Sequence, residues 1–189
     1  MKERTKLTRG KLLKGEAGPW KEWKESEFKQ WDQYKAQEMF GDPQQLPKGA
    51  NLLSMIWTYL IKTDGMKKAR CVCNGSPNQR GTVTMAETYA SALDQTGARI
   101  FWAASALYNF VIIGADASNA FAEAPAPQAP LYIRIDKTYK EWHQARNPDS
   151  PPLADDAVLR VKRALQGHPE SPRLWAILID NIIKALNLK

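Results

Sequence analysis

Val111-Ile-Ile-Gly-Ala-Asp-Ala-Ser-Asn-Ala-Phe121 joins an apolar run to a lone carboxylate. The β-favouring and small residues before Asp116 predict a buried strand that ends in an acid. Burying an unpaired carboxylate costs several kcal/mol, so Asp116 is expected to bind a metal, a cation or several hydrogen-bond donors. A second interpretation stays open, in which the Asp116 side chain only caps the segment that follows.

Composition indicates an ordinary globular chain. Its 189 residues suffice for one domain or two small lobes, and 43% of them are hydrophobic and 25% charged. The longest apolar run, 99–115, is too mixed to span a bilayer, and residues 1–14 lack the apolar core of a secretory signal. We therefore expect no membrane partner and an intracellular protein, in a cytoplasmic particle or in the nucleus.

The two cysteines and the charge distribution further limit which kinds of protein and partner fit this sequence. Cys71 and Cys73 lie two residues apart, on the same face of a predicted strand, and are expected in the core rather than in a disulfide or a zinc site. Residues 1–80 carry 16 Lys or Arg against 9 Asp or Glu, whereas residues 81–189 carry 11 of each. The excess favours an acidic partner for the first part, nucleic acid above all, although residues 1–14 are equally typical of a solubilising tail.

Hydrophobic patterns predict an α+β fold. Residues 1–18 are predicted to be a flexible lead-in. A helix is predicted from Pro19, its aromatic stripe facing the core. Strands over 52–62 and 69–73 form a hairpin that carries Lys62, Lys67, Lys68 and Arg70. Further helices are predicted over 84–93, over 96–110 with Thr96 as its cap, and from a Ser171 cap to the end, and further strands over 131–135 and 158–165. An extended connection is predicted over 122–130.

Five short stretches of the sequence resemble motifs of one known family and occur in the same order as in that family. They are Leu46-Pro-Lys-Gly49 with Trp57-Thr-Tyr-Leu-Ile-Lys-Thr-Asp-Gly65, Lys68-Ala-Arg-Cys-Val-Cys-Asn-Gly75, Glu87-Thr-Tyr-Ala90, Asp116-Ala-Ser-Asn-Ala-Phe121, and Ala164-Leu-Gln-Gly-His-Pro-Glu-Ser-Pro-Arg-Leu-Trp175. Together the matches resemble the reverse transcriptase domain of copia-type retrotransposons over about residues 20–189. The resemblance implies an incomplete right-hand polymerase fold. Its fingers would comprise about 19–88 and 124–157, and the first part of its palm about 89–123 and 158–189, the partial domain running over 19–189.

The resemblance also implies roles for single residues. Asp116 corresponds to the first of three carboxylates that hold two Mg²⁺ ions for nucleotidyl transfer. Phe121 corresponds to the aromatic residue under the incoming sugar, and Arg70 to the fingers arginine near the triphosphate. The remaining implied nucleotide-binding residues are Lys62, Lys68, Gln166 and Gly167. The implied partners are an RNA or DNA template-primer, a deoxynucleoside triphosphate, and further polyprotein segments such as integrase and ribonuclease H.

Departures from the family pattern limit the implied activity. The other two metal-binding carboxylates belong to a Tyr-x-Asp-Asp hairpin expected after the final helix, and the sequence does not contain it. Asp155-Asp156 has the wrong order and context, so it is interpreted as a solvated loop pair. The chain is therefore expected to be inactive alone. Two alternatives stay open: a non-specific nucleic-acid-binding remnant without catalysis, and an unstable gene fragment whose Asp116 strand would be an exposed, poorly soluble edge.

Overall fold

A computed structural model describes residues 7–76, 88, 90, 93–114 and 116–186. The described residues form α-helices and mixed β-sheets, which confirms the α+β prediction. The helices are α1 Arg9–Leu13, α2 Trp20–Ala36, α3 Gln95–Leu107, α4 Lys137–Arg146 and α5 Ser171–Ala185, with a 3₁₀ turn at Ala120–Glu123. The strands are β1 Phe40–Gln44, β2 Asn51–Leu53, β3 Met55–Ile61, β4 Lys67–Cys73, β5 Leu131–Arg134 and β6 Val158–Val161.

The strands form two sheets. The larger has the order β1-β6-β5-β2, with β2 parallel to β5 and the other pairs antiparallel. The smaller is the β3-β4 hairpin, in a continuous register from Met55 opposite Cys73 to Ile61 opposite Lys67. The predicted hairpin is thus confirmed. Its turn contains Gly65 at a φ of 81°, a conformation that glycine adopts without steric cost.

Aromatic side chains from α2 form the centre of the core. Trp31 is 2% exposed, and its ring contacts those of Tyr34, Phe40, Trp57, Tyr139 and Trp142 at centroid distances of 5.0–6.4 Å. The predicted core role of the aromatic stripe is confirmed. Cys71 and Cys73 are buried free thiols, as predicted, and burial raises the pKa of the Cys73 thiol to about 12. Both cysteines are therefore packing residues rather than nucleophiles.

Residues 7–18 are folded against the hairpin, so their interpretation as a flexible lead-in was wrong. Leu12 is fully buried, and the backbone at residue 7 bridges to Tyr59. Arg9 reaches two carboxylates, with Nε 3.2 Å from Oε1 of the fully buried Glu27 and Nη2 3.1 Å from Oε2 of Glu141. Apolar burial and a two-way ion pair offset the entropy of ordering this segment.

The strand predicted before Asp116 was also wrong. Residues 111–114 form no strand, and Val111 and Ile113 are 89% and 88% exposed. A strand requires a neighbour for its backbone hydrogen bonds, and no pairing in the described part of the chain includes this segment. Asp116 therefore lies at the surface rather than at the end of a buried strand.

Several helix and strand boundaries differ from prediction. The cap of α3 is Asp94, whose Oδ1 accepts from the Gly97 backbone N–H at 2.5 Å, and not Thr96. Ser171 begins α5 but caps nothing, because its Oγ donates to the Leu165 carbonyl at 2.6 Å. The strand predicted over 158–165 ends at 161, and the connection predicted over 122–130 begins inside the 3₁₀ turn. The helix predicted over 84–93 falls mostly outside the described residues. None of the described helices is long and apolar enough to cross a membrane.

Candidate functional site

A cleft of about 480 Å³ lies between α2, β4 and the segment that carries Asp116. Five residues to which the resemblance gives site roles line it: Lys68, Arg70, Asp116, Phe121 and Gln166. These residues come from three separate stretches of the chain. Lys62 and Gly167, the other two predicted site residues, do not line this cleft.

Strand alternation places the basic wall of the cleft. Lys68 and Arg70 are two apart on β4 and so point to one side, whereas Ala69 and Cys71 are buried on the other. Lys67, on that buried side, forms an ion pair with Glu22. Among the described residues, no carboxylate forms an ion pair with Lys68 or Arg70. The basic wall therefore has no acidic partner of its own.

The pKa of Lys68 reflects the positive charges that lie near it. Partial desolvation lowers the pKa of the Lys68 ammonium, and the charges of Arg70, Lys62 and Lys29 lower it further. Like charges held close together favour the binding of an anion, because an anion removes their mutual repulsion.

The opposite wall is the segment from Asp116 to Phe121. Its backbone turns at Asn119, which has a φ of 52° and whose side-chain amide donates to Oε1 of Gln37, the residue that follows α2. The 3₁₀ turn then buries Ala122, 3% exposed, and leaves Phe121 half-buried on the cleft surface. Asparagine adopts this left-handed backbone conformation more readily than most residues, so the turn at Asn119 sets the direction of this wall.

Gly167 allows a close backbone contact, but the contact is with β4. Its φ is 95°, and an added Cβ would lie closer than 3.0 Å to the Cys73 carbonyl oxygen. The Cys73 N–H donates to the Gln166 carbonyl at 2.9 Å, and a Cβ on Gly75 would likewise collide with the Gly167 carbonyl. The tight turn predicted here therefore holds the end of the hairpin and leaves the Gln166 side chain on the cleft.

The carboxylates of the described residues do not fit a two-metal centre. Asp116 is the only carboxylate that lines the described cleft. Nowhere in residues 7–76, 93–114 and 116–186 do three or more His, Cys, Asp or Glu side chains gather as a metal site would require. Asp155 is exposed and forms an ion pair with Lys140 at 2.6 Å, as expected of a solvated loop pair. A single carboxylate supplies too few ligands to hold two Mg²⁺ ions.

Sequence reasoning assigned no role to four polar residues that line the cleft: Gln30, Gln33, Ser118 and Asn119. Gln30 and Gln33 are three apart on α2, so they share a helix face. That spacing was visible in the sequence. What was missing is that α2 packs along β4, a long-range fact that spacing does not contain.

Comparison with known proteins identified no relative of this chain: no family model, no curated protein and no solved structure matches it.

Proposed function

We propose that this chain is the fingers and first part of the palm of a copia-type reverse transcriptase, and that its cleft binds the triphosphate of a deoxynucleotide. One observation carries the proposal. Five of the seven residues to which the resemblance gives site roles, from β4, from residues 116–121 and from residue 166, line the same cleft.

The cleft chemistry suits a nucleoside triphosphate. The Arg70 guanidinium can bind phosphate oxygens in a bidentate manner, and the Lys68 ammonium adds a second charge; neither group forms an ion pair among the described residues. The half-buried ring of Phe121 offers an apolar surface to a sugar. The Gln30, Gln33 and Gln166 amides supply neutral hydrogen-bonding groups around these charges.

A binding titration with a fluorescent deoxynucleoside triphosphate tests the proposal. Arg70→Gln and Lys68→Gln should each weaken binding about 10-fold, because each removes a charge-assisted contact. Lys21→Gln is the matched control, since Lys21 is exposed on α2 and lines neither the cleft nor its surroundings. Equal affinity in the Arg70 variant and the control would contradict the proposal.

Catalysis is a separate question with its own experiment. Because the cleft presents one carboxylate, the 189-residue chain should incorporate no nucleotide in a primer-extension assay with Mg²⁺. Extension that disappears in Asp116→Asn would show that the missing ligands come from groups other than those lining the cleft.

The second candidate function is non-specific nucleic-acid binding without a nucleotide site. The observation in its favour is the basic first part of the chain, in which the hairpin cations Lys62, Lys68 and Arg70 form no ion pair among the described residues. It predicts an affinity for DNA and RNA that falls steeply with salt, with no affinity for the free triphosphate. Triphosphate binding that depends on Arg70 would reject this candidate.

A further inference from the structure

A cavity of about 340 Å³ opens between α2, α4 and β1, and it shares no lining residue with the cleft. Its floor is aromatic, because Trp31, Tyr34, Tyr139 and Trp142 line it and are between 2% and 8% exposed. The partly buried ring of Phe40 lines it as well. Aromatic-lined cavities of this size are typical of sites for small molecules.

The indole N–H of Trp31 lacks a partner in the described part of the chain. Its Nε1 atom is buried and has no hydrogen-bond acceptor there. By contrast, the Tyr34 hydroxyl donates to the Cys71 carbonyl, and Nε1 of Trp142 donates to Oδ1 of Asp32 at 2.9 Å. Leaving a buried donor unsatisfied is costly, so an acceptor supplied by a ligand would gain more at this N–H than at a solvated one.

The rim of the cavity carries exposed charged side chains, two of each sign. They are Lys35 and Lys162, and Glu38 and Asp42. None of the four forms an ion pair among the described residues. The Lys35 ammonium lies 5.9 Å from the ring centroid of Trp142, so that ring already faces a cation. Because the rim charges balance, they favour neither an anionic nor a cationic ligand.

A β-bulge shapes the β1 wall of the cavity. Phe40 pairs with Val161 and Pro43 with Leu159, so β1 contains one extra residue relative to β6. The irregularity falls at Gly41 and Asp42, and both line the cavity. A bulge bends its strand and redirects the side chains beside it. The backbone of the folded chain therefore forms this wall before any ligand binds.

We infer that this cavity binds a small, uncharged, planar aromatic molecule that carries a hydrogen-bond acceptor. The ring of the ligand packs against the aromatic floor, and its acceptor takes the hydrogen bond that Nε1 of Trp31 can donate. The inference does not depend on the proposed function, because the cavity and the cleft have no lining residue in common.

Quinoline and naphthalene are matched probes for this site, because they have the same shape and only quinoline has an acceptor, its ring nitrogen. Both are titrated at pH 8, where quinoline is uncharged, against the full chain, Trp31→Phe and the control Trp102→Phe, which removes an exposed indole. The ratio of quinoline affinity to naphthalene affinity should fall about 5-fold in Trp31→Phe, as expected for one net hydrogen bond, and stay constant in the control. An unchanged ratio in a folded Trp31→Phe protein overturns the inference.

A measurement on the unmodified chain keeps the test decisive if Trp31→Phe does not fold. The indole N–H signal of Trp31 is assigned by nuclear magnetic resonance through its contact with the Tyr139 ring, since the two ring centroids are 5.0 Å apart. Quinoline should move this proton signal downfield until binding saturates, and naphthalene should not. Absence of saturable quinoline binding, or saturable binding that leaves the signal in place, overturns the inference.

Further probes test the charge of the ligand and the independence of the cavity. 2-Naphthoate and 2-naphthylmethylammonium should bind no more tightly than quinoline, and tighter binding of either overturns the assignment of an uncharged ligand. Thymidine triphosphate should not displace quinoline, and Arg70→Gln should leave quinoline affinity unchanged. Displacement by the triphosphate would place quinoline in the cleft and overturn the inference, whereas absence of triphosphate binding alone would overturn only the proposed function.

Discussion

Two tryptophans illustrate how differently two regions of this molecule are organised. Trp31 lies in the packed region, which comprises α2, the two sheets and α4, and is 2% exposed. Trp102 lies in the exposed segment, residues 93–114, and is 59% exposed. Both stand in helices with apolar neighbours, so composition alone does not determine burial. The packed region has facing elements for its aromatic side chains, whereas few residues of the exposed segment are covered by the rest of the described chain.

The candidate site contains residues from both the packed region and the exposed segment's end of the chain. The basic wall, Lys68 and Arg70, belongs to the packed region. The wall that carries Asp116 follows directly on the exposed segment and is itself exposed up to Asn119. The anion-binding half of the cleft is therefore supported by a core, and the carboxylate half has less support. Matched substitutions in the two regions test this contrast.

The largest effect is expected for Trp31→Ala. Removing a fully packed indole should lower the free energy of unfolding by about 3–5 kcal/mol, because a cavity replaces five ring contacts. Trp102→Ala should change it by less than about 0.5 kcal/mol. Urea denaturation followed by circular dichroism measures both. Similar losses in the two variants would mean that residues 93–114 are packed in solution and would remove the contrast.

Arg9→Ala should have the next largest effect. Among the described residues, it leaves the fully buried Glu27 carboxylate with only the Tyr59 hydroxyl, at 2.5 Å, as a partner. Because Arg9 is itself partly exposed, at 21%, we expect a loss of about 2–3 kcal/mol rather than the full cost of a buried orphan charge.

The matched variant for Arg9 is Lys184→Ala on α5. It breaks an exposed pair with Asp180 and should cost less than about 0.5 kcal/mol. Equal stability of the two variants in the same urea titration would show that residues 7–18 are not held against the hairpin.

Glycine substitutions give a smaller difference. Gly75→Ala forces a Cβ into the Gly167 carbonyl and should cost about 1–3 kcal/mol through overpacking. Gly114→Ala meets no atom within 4 Å and should be neutral or slightly stabilising. Because the Gly75 contact sets the distance between β4 and Gln166, triphosphate affinity should fall for Gly75→Ala alone. Unchanged affinity in a folded Gly75→Ala protein would mean that this contact does not shape the cleft.

The smallest expected effect is a dependence of the free energy of unfolding on pH. Burial raises the pKa of the Glu27 carboxyl, and hydrogen bonds from Tyr59 and Arg9 offset only part of the shift. The native state therefore binds the Glu27 proton more readily than the unfolded chain does. The stability that this group contributes is fully present below its unfolded pKa, near about 4.3, and is lost as the pH rises through the folded value.

Comparison with Glu27→Gln isolates the part of this pH dependence that comes from the Glu27 carboxyl. The free energy of unfolding of the unmodified chain, relative to that of Glu27→Gln, should decrease as the pH is raised from about 4 to 7. Urea titrations at several pH values measure the difference. A difference that grows with pH would mean that the ion pair with Arg9 outweighs the desolvation of Glu27.

Local signals in the sequence predicted much of this structure. The hairpin, α2 with its aromatic stripe, the buried cysteines and the α+β class all follow from periodicity and turn residues, which act over a few positions. Residues 7–18 were mispredicted because their order depends on Arg9 reaching Glu27 and Glu141, the latter 132 positions away. The strand before Asp116 was mispredicted because β-propensity describes a preference for a pleated surface and provides no partner strand.

The candidate site was likewise predictable where local signals determine it and unpredictable where long-range packing does. Ordered short matches singled out five of the residues that line the cleft, and strand alternation put Lys68 and Arg70 on one side. The contributions of Gln30 and Gln33 depend on α2 packing along β4, and the true neighbour of Gly167 depends on where the hairpin ends. Neither is encoded at short range.

The strand order of the larger sheet has a consequence for folding during synthesis. Its outer strands, β1 and β2, lie within residues 40–53, whereas its central strands, β5 and β6, lie within residues 131–161. A ribosome therefore delivers both edges long before the strands that join them. The hairpin, whose contacts are local, can close early, but the sheet must wait until residue 161 has emerged. β2 can pair with β5 once residue 134 has emerged, but β1 remains unpaired until β6 is complete, and this interval is when the nascent chain is most exposed to misassociation.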